Sequence, residues 1–218
     1  MQSLLKDIRY GIRSLLKRPS LTVLAIVTLA LGIGANTAMF SVINAVLIRP
    51  LPYNEPDRLV WMNETGPEVA NRMVSYPNFQ DWQARSSSFE AMSSFRGWSV
   101  TMTGRDQPLD LNARMVAADY FKVMRVSPLL GRSFSVEEDK PGAPLVTVIS
   151  YGFWQKQFAG DPNIVGKSIV LDDRPFTVVG VTPESFQHQG PPPLWLLVGP
   201  QNWKERDVRI GGNVIGRL

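Results

Sequence analysis

Between Arg18 and Arg49 the chain carries no charged side chain, so 30 consecutive residues, Pro19 to Ile48, are apolar or uncharged. Everywhere else charged and apolar positions are interleaved. As an α-helix such a run is about 45 Å long, against about 30 Å of bilayer hydrocarbon. It is expected to cross a membrane with roughly ten residues left over, absorbed by tilt or by a stalk beyond the far interface. The most apolar block is Leu21–Leu31, while Asn36, Thr37, Ser41 and Asn44 fall in the second half. Gly32, Asn36, Phe40 and Asn44 recur every four residues and share a helical face. Beside them Ala30, Gly34 and Ala38 form a small-xxx-small series. Small residues let helices approach closely, and asparagine can hydrogen-bond across the contact, so this face is expected to pack against a partner helix. Glycine and alanine are also common in spans that pack against nothing.

Upstream, Leu4, Leu5, Ile8, Ile12, Leu15 and Leu16 fall on one helical face, with Lys6, Arg9, Arg13 and Lys17 largely elsewhere. This is the pattern of a basic amphipathic helix lying on a membrane surface before the chain turns inward at Arg18-Pro19-Ser20. Downstream, Arg49-Pro50-Leu51-Pro52 makes a stiff exit. Three sections are expected: 1–19 as the interfacial helix, 20–48 as span and stalk, and 49–218 as a folded domain outside.

In that domain the periodicities switch between 2 and 3.6. Leu59–Met62, Phe95–Met102, Leu109–Val116 and Leu145–Ile149 read as strands, Leu194–Val198 as at most a short one, and Ile169–Val181 as a hairpin turning at Asp172-Asp173. Ser75 and Ser150 read as helix caps, the first helix burying Tyr76, Phe79 and Trp82, the second carrying Phe153, Trp154 and Phe158. Asp119 is expected to cap a short helix ending at Met124. Ser135-Val-Glu-Glu138 has capping-box spacing. The fold class is α+β: one N-terminal transmembrane helix followed by a mixed α/β domain.

Charge sharpens the orientation. The first 18 residues hold Lys6, Arg9, Arg13, Lys17 and Arg18 against Asp7, and the remaining chain balances 18 basic with 18 acidic residues. Basic residues flanking a span mark its cytoplasmic side. A positive cluster confined there is not a nucleic-acid surface, which needs basic groups that track phosphates. With no cysteine and a single histidine, a disulfide framework and a cysteine or multi-histidine metal site are excluded.

Several chemical motifs fail on context. A cleaved signal has an apolar core of about 7–15 residues, and this run continues apolar past any cut near Asn36-Thr37-Ala38. GIGANT follows no strand and lacks the acidic residue of a dinucleotide site. Gly160-Asp-Pro-Asn-Ile-Val-Gly166-Lys167-Ser168 has one residue too many for a phosphate loop, and a hairpin follows it rather than a helix. Glu137-Glu138-Asp139 and Asp172-Asp173 lack calcium-loop spacing. His188 has no nucleophile partner, so an anchored hydrolase has only it and scattered acids behind it. No catalytic, cofactor or metal residues are expected.

Four stretches in order resemble one family: MQSLLKDIRYGIRSLLKRPSLTVLAIVTLALGIGANTAMFSVINAVLIRPLPY, DYFKVMRVSPLLGRSF, VISYGFWQKQFAGDPNIVGKSIVLDDRPFTVVGVTPESF and NVIGRL. They are similar to MacB/FtsX-type ABC transporter permeases, especially an orphan permease branch abundant in acidobacteria. The resemblance implies a periplasmic core domain with a porter-like part and a sabre-like insertion. It implies a bacterial inner-membrane location with a cytoplasmic N-terminus. It implies a separate or fused ABC ATPase, a homodimer or permease partner, and a periplasmic adaptor. The implied activity is mechanical: ATP-driven closure transmitted through helices to substrates already outside, for efflux or export. Against that pattern the chain is expected to be the N-terminal part, incomplete within the external domain. The alternative is a single-pass anchored binding or sensor module.

Overall fold

The computed structural model describes residues 9–10, 13, 16–44, 53–66, 71–104, 107–186, 192–201 and 211–218. The chain forms two compact units, Met1–Leu51 and Pro52–Leu218.

The first unit is dominated by helix α1, Pro19–Ile43, with proline in its first turn where a missing N–H costs nothing. Arg9, Tyr10, Arg13 and Leu16 are also helical. No residue of α1 is buried. A helix that is apolar all round, with no residue buried by the described residues, needs lipid or other helices to cover it. Among the described residues it alone is long and apolar enough to span a bilayer.

The second unit is built on strands β1 (Leu59–Met62), β2 (Ala91–Thr103), β3 (Leu109–Val116), β4 (Leu130–Gly131), β5 (Val146–Ile149), β6 (Ser168–Leu171), β7 (Arg174–Val181), β8 (Leu194–Leu197) and β9 (Asn213–Arg217). Helices α2 (Tyr76–Arg85), α3 (Tyr120–Val123) and α4 (Tyr151–Phe158) pack among them. The sheet runs β1-β9-β2-β3-β8-β5-β7-β4. Because β6 pairs with both β7 and the far end of β2, six strands close into a ring, β2-β3-β8-β5-β7-β6. β9 pairs with the near end of β2, at Ala91–Phe95, and carries β1 on its other side.

One core cluster joins Val100, Met102, Leu111, Met115, Leu171 and Leu196 to Phe79 of α2 and Phe153 and Trp154 of α4. A second lies on the opposite face, where Phe121 of α3 meets the rings of Tyr120, Phe134, Phe186 and Trp195. Burial on both faces explains why β5 (VTVI) and β8 (LWLL) show no alternation. Strand β3, LDLNARMV, alternates because Asp110 and Asn112 face solvent.

Both serine caps form: Ser75 Oγ accepts from Asn78 N at 3.3 Å and Ser150 Oγ from Phe153 N at 3.2 Å. Asp172 and Asp173, at φ 46° and 60°, make the two-residue hairpin turn. Other expectations are corrected. Ser135–Glu138 is a turn and not a helix start, although half of the box exists, with Ser135 N donating to Glu138 Oε2 at 2.9 Å. Asp119 stands at the N-cap position of α3 without a capping bond, and its carboxylate instead accepts from Gln83 Nε2 at 3.1 Å. Strand β2 begins at Ala91 rather than Phe95, and β9 is a strand that periodicity did not show. His188, Lys6 and the Ala45–Pro52 stretch lie outside the described residues.

Candidate functional site

The proposed packing residues lie on α1, and they form two rows rather than the single expected face: Gly32, Asn36, Phe40 and Asn44 run along one side, and Gly34 and Ala38, two residues and so about 200° round the helix, along the other. Gly32, Gly34, Asn36, Ala38 and Phe40 are exposed, and a Cβ built on either glycine would meet nothing. Asn44 caps the helix end, its N–H shared between the carbonyls of Phe40 and Ser41. Asn36 Nδ2 donates to Gly32 O at 3.0 Å, one turn back, so one of its donors is used within the helix. Its carbonyl oxygen and second N–H remain to serve a contact across helices. Thr28, Leu29, Gly32, Ile33, Asn36 and Thr37 outline a shallow groove along this side. Of the basic residues, Arg9, Arg13, Lys17 and Arg18 are exposed.

In the sheet domain the acidic pairs are bound into the fold. Glu138 takes a two-pronged contact from Arg132, at 2.9 and 2.6 Å, which holds its carboxyl below the usual range. Asp172 Oδ1 accepts from Thr101 N at 2.8 Å. Asp139 is the hub of three distant segments. Its Oδ2 accepts from Ala118 N at 2.9 Å and Tyr76 OH at 3.1 Å, and its Oδ1 from Gly199 N at 2.7 Å. Burial raises the Asp139 pKa in spite of these donors, and burial beside Asp139 raises that of Tyr76. A side chain at Gly199 would lie 2.0 Å from Asp139 O, so the approach requires glycine there. Among the described residues no three His, Asp or Glu side chains converge as metal ligands.

A second polar cluster stands where the chain arrives at the domain. Leu59 of β1 pairs with Arg217 of β9, which pairs in turn with Ala91 of β2. The Arg217 side chain is fully buried. Its Nε donates to Val123 O at 2.7 Å and Nη1 to Glu55 O at 3.1 Å, while Nη2 has no hydrogen-bond partner among the described residues. Desolvation lowers its pKa, assisted by the nearby Arg125. Arg125 bridges Glu55 at 2.5 Å and Glu90 at 3.2 Å, and Arg58 adds a contact to Glu55 at 3.3 Å. None of this cluster was legible as a site beforehand. The available signal was an arginine within the otherwise uncharged run Asn213–Leu218, which asks for buried acceptors.

A sequence profile described as MacB-like periplasmic core domain matches residues 22–207, from within α1 across the sheet domain. The chain belongs to this family. Solved structures share its fold. The extracellular domain of the noncanonic ABC-type transporter YknZ from Gram-positive bacteria is 16% identical, with TM-score 0.52 over 73% of this chain and 81% of that one. The periplasmic region of MacB from Actinobacillus actinomycetemcomitans is 16% identical, with TM-score 0.51 over 73% and 72%. A domain of a putative permease from Porphyromonas gingivalis is 15% identical, with TM-score 0.55 over 76% and 77%. No curated protein matches the sequence.

Proposed function

We propose that the chain is a membrane-anchored component of an ABC transporter permease, and that it passes ATPase-driven motion to an extracytoplasmic domain. The observation that carries this reading is the span of the family match, which takes in most of the apolar helix together with the sheet domain. Helix and domain thus belong to one family unit. Helix α1 crosses the inner membrane with Lys6, Arg9, Arg13, Lys17 and Arg18 on the cytoplasmic side, following the positive-inside rule. Residues 1–19 lie along that surface, residues 20–48 form span and stalk, and the domain from residue 49 onward works outside. The face bearing Gly32, Asn36, Phe40 and Asn44 packs against a second copy or another permease helix, and the row of Gly34 and Ala38 offers a second small-residue contact on the other side of the helix. ATP is hydrolysed by a separate subunit or domain, and the periplasmic domain does mechanical work in efflux or export, with a periplasmic adaptor as a further partner.

Fold and site support this division of labour. A ring closed by strand pairing resists deformation better than an open sheet, because no edge within it is free to slip. Asp139 and Asp172 accept hydrogen bonds from backbone N–H groups of distant segments and so tie the domain together.

Two experiments test the reading. The chain, expressed in its native reading frame, is expected to co-purify from membranes with an ABC ATPase; absence of any ATPase would count against it. A phosphatase reporter fused after Leu59 is expected to be active and one fused after Lys17 inactive, and the reverse pattern would overturn the orientation.

A further inference from the structure

We propose that Glu55, Glu90, Arg125 and Arg217 form a lock that fixes the segment entering the sheet domain at Glu55 onto β9, so that a pull arriving along the chain at Glu55 is passed to the sheet without local slack. This rests on the permease reading above, and it assigns the coupling to named positioning residues.

The lock joins four pieces of chain that are remote in sequence. They are the incoming segment at Glu55–Leu59, Glu90 ahead of β2, the turn after α3 at Val123–Arg125, and the end of β9. The backbone does part of the joining: Glu90 N donates to Arg217 O at 2.7 Å and Leu218 N to Arg58 O at 2.9 Å. The side chains do the rest. Arg217 reaches from β9 to the carbonyls of Val123 and Glu55, and Arg125 ties the Glu55 and Glu90 carboxylates together.

Two features set this cluster apart from an ordinary surface ion-pair network. First, the Arg217 guanidinium is buried against carbonyl groups, with one nitrogen unpaired among the described residues. That is a poor way to gain stability, since an apolar side chain of similar volume would avoid the desolvation. It is a good way to fix a direction, because a planar fork accepts few alternative geometries. Second, Glu55 and Arg125 both sit in the left-handed region, at φ 50° and 52°. Arg125 occupies the position just past a helix end, where glycine is the favoured residue. Both residues hold an unfavourable backbone while their side chains meet each other. Every force transmitted from α1 through the covalent chain into the sheet must pass Glu55.

Arg125→Gly separates positioning from stability, because glycine suits that backbone while removing both ion pairs. Hydrogen exchange on the full chain in detergent is expected to rise about tenfold at the amides of 53–62, as expected for a locally opened unit, with the global melting temperature unchanged. With the permease reconstituted alongside its ATPase, the variant is expected to lose most of the stimulation of ATP turnover. Glu55→Gln, which keeps the shape and loses the charge, is expected to behave likewise. Unchanged exchange at 53–62 overturns the lock, and a global loss of stability overturns it in favour of a merely structural role. Faster local exchange with full stimulation overturns the coupling role. A wild-type chain that does not stimulate the ATPase overturns the permease reading, and with it the coupling.

Discussion

Asp139 shows how much one side chain can hold. Asp139→Ala would strand the Tyr76 hydroxyl and the N–H groups of Ala118 and Gly199, and is expected to cost about 3 kcal/mol or more in urea unfolding. Tyr76→Phe, which leaves two backbone donors in place, is expected to cost only about 1 kcal/mol. The adjacent acids respond oppositely to pH. The Asp139 pKa is raised on folding, so its contribution is most favourable below the unfolded carboxyl range and declines as pH rises through its folded value. Glu138 is lowered, so its contribution is present above the unfolded range and is lost as pH falls through the folded value. Melting temperatures of the wild type and Asp139→Asn, compared from about pH 4 to 7, are therefore expected to show the wild type losing ground as pH rises. In the sequence Asp139 reads as one of an acidic stretch, Glu137-Glu138-Asp139, without calcium-loop spacing; its role as a hub is not legible there, because two of its partners lie 60 and 63 residues away and leave no local pattern. The Ser75 and Ser150 caps were legible because the partner of each is three residues on.

The elements follow the same division. Helices α2 and α4 and the β6–β7 hairpin carry their own start, stop or turn chemistry and stood where periodicity placed them. The first half of β2 did not. Ser93 and Ser94 look like loop residues, yet both are buried, and Ser93 Oγ bonds to Ala117 O at 3.3 Å across the sheet. Only the pairing with β9 reveals why serines are tolerated in a strand there. The α1 face is a proposal that can be tested on the element itself. Gly32→Leu is expected to reduce crosslinking between copies, or to a partner permease helix, several-fold in membranes, whereas Leu31→Ile, away from the groove, should leave it unchanged. Equal effects of the two would show that the small residues are not the contact.

At the scale of the whole molecule, closure of the strand ring depends on Met102 meeting Leu171, and the docking of the incoming chain depends on Leu59 meeting Arg217. No local signal encodes pairings across such separations. The family resemblance nevertheless spanned them, since its separate blocks supply β1's approach, α3, β5 to β7 and β9. The aromatic cluster round Phe121 ties these blocks together, and Phe121→Ala is expected to cost about 3–5 kcal/mol of stability by calorimetry. The central claim is that helix and domain together serve an ABC permease. It is tested most directly by measuring ATP turnover of the co-purified ATPase in lipid, with and without this chain in its native reading frame. The account expects turnover to rise with the chain present. Unchanged turnover, with the chain folded and inserted, would contradict it.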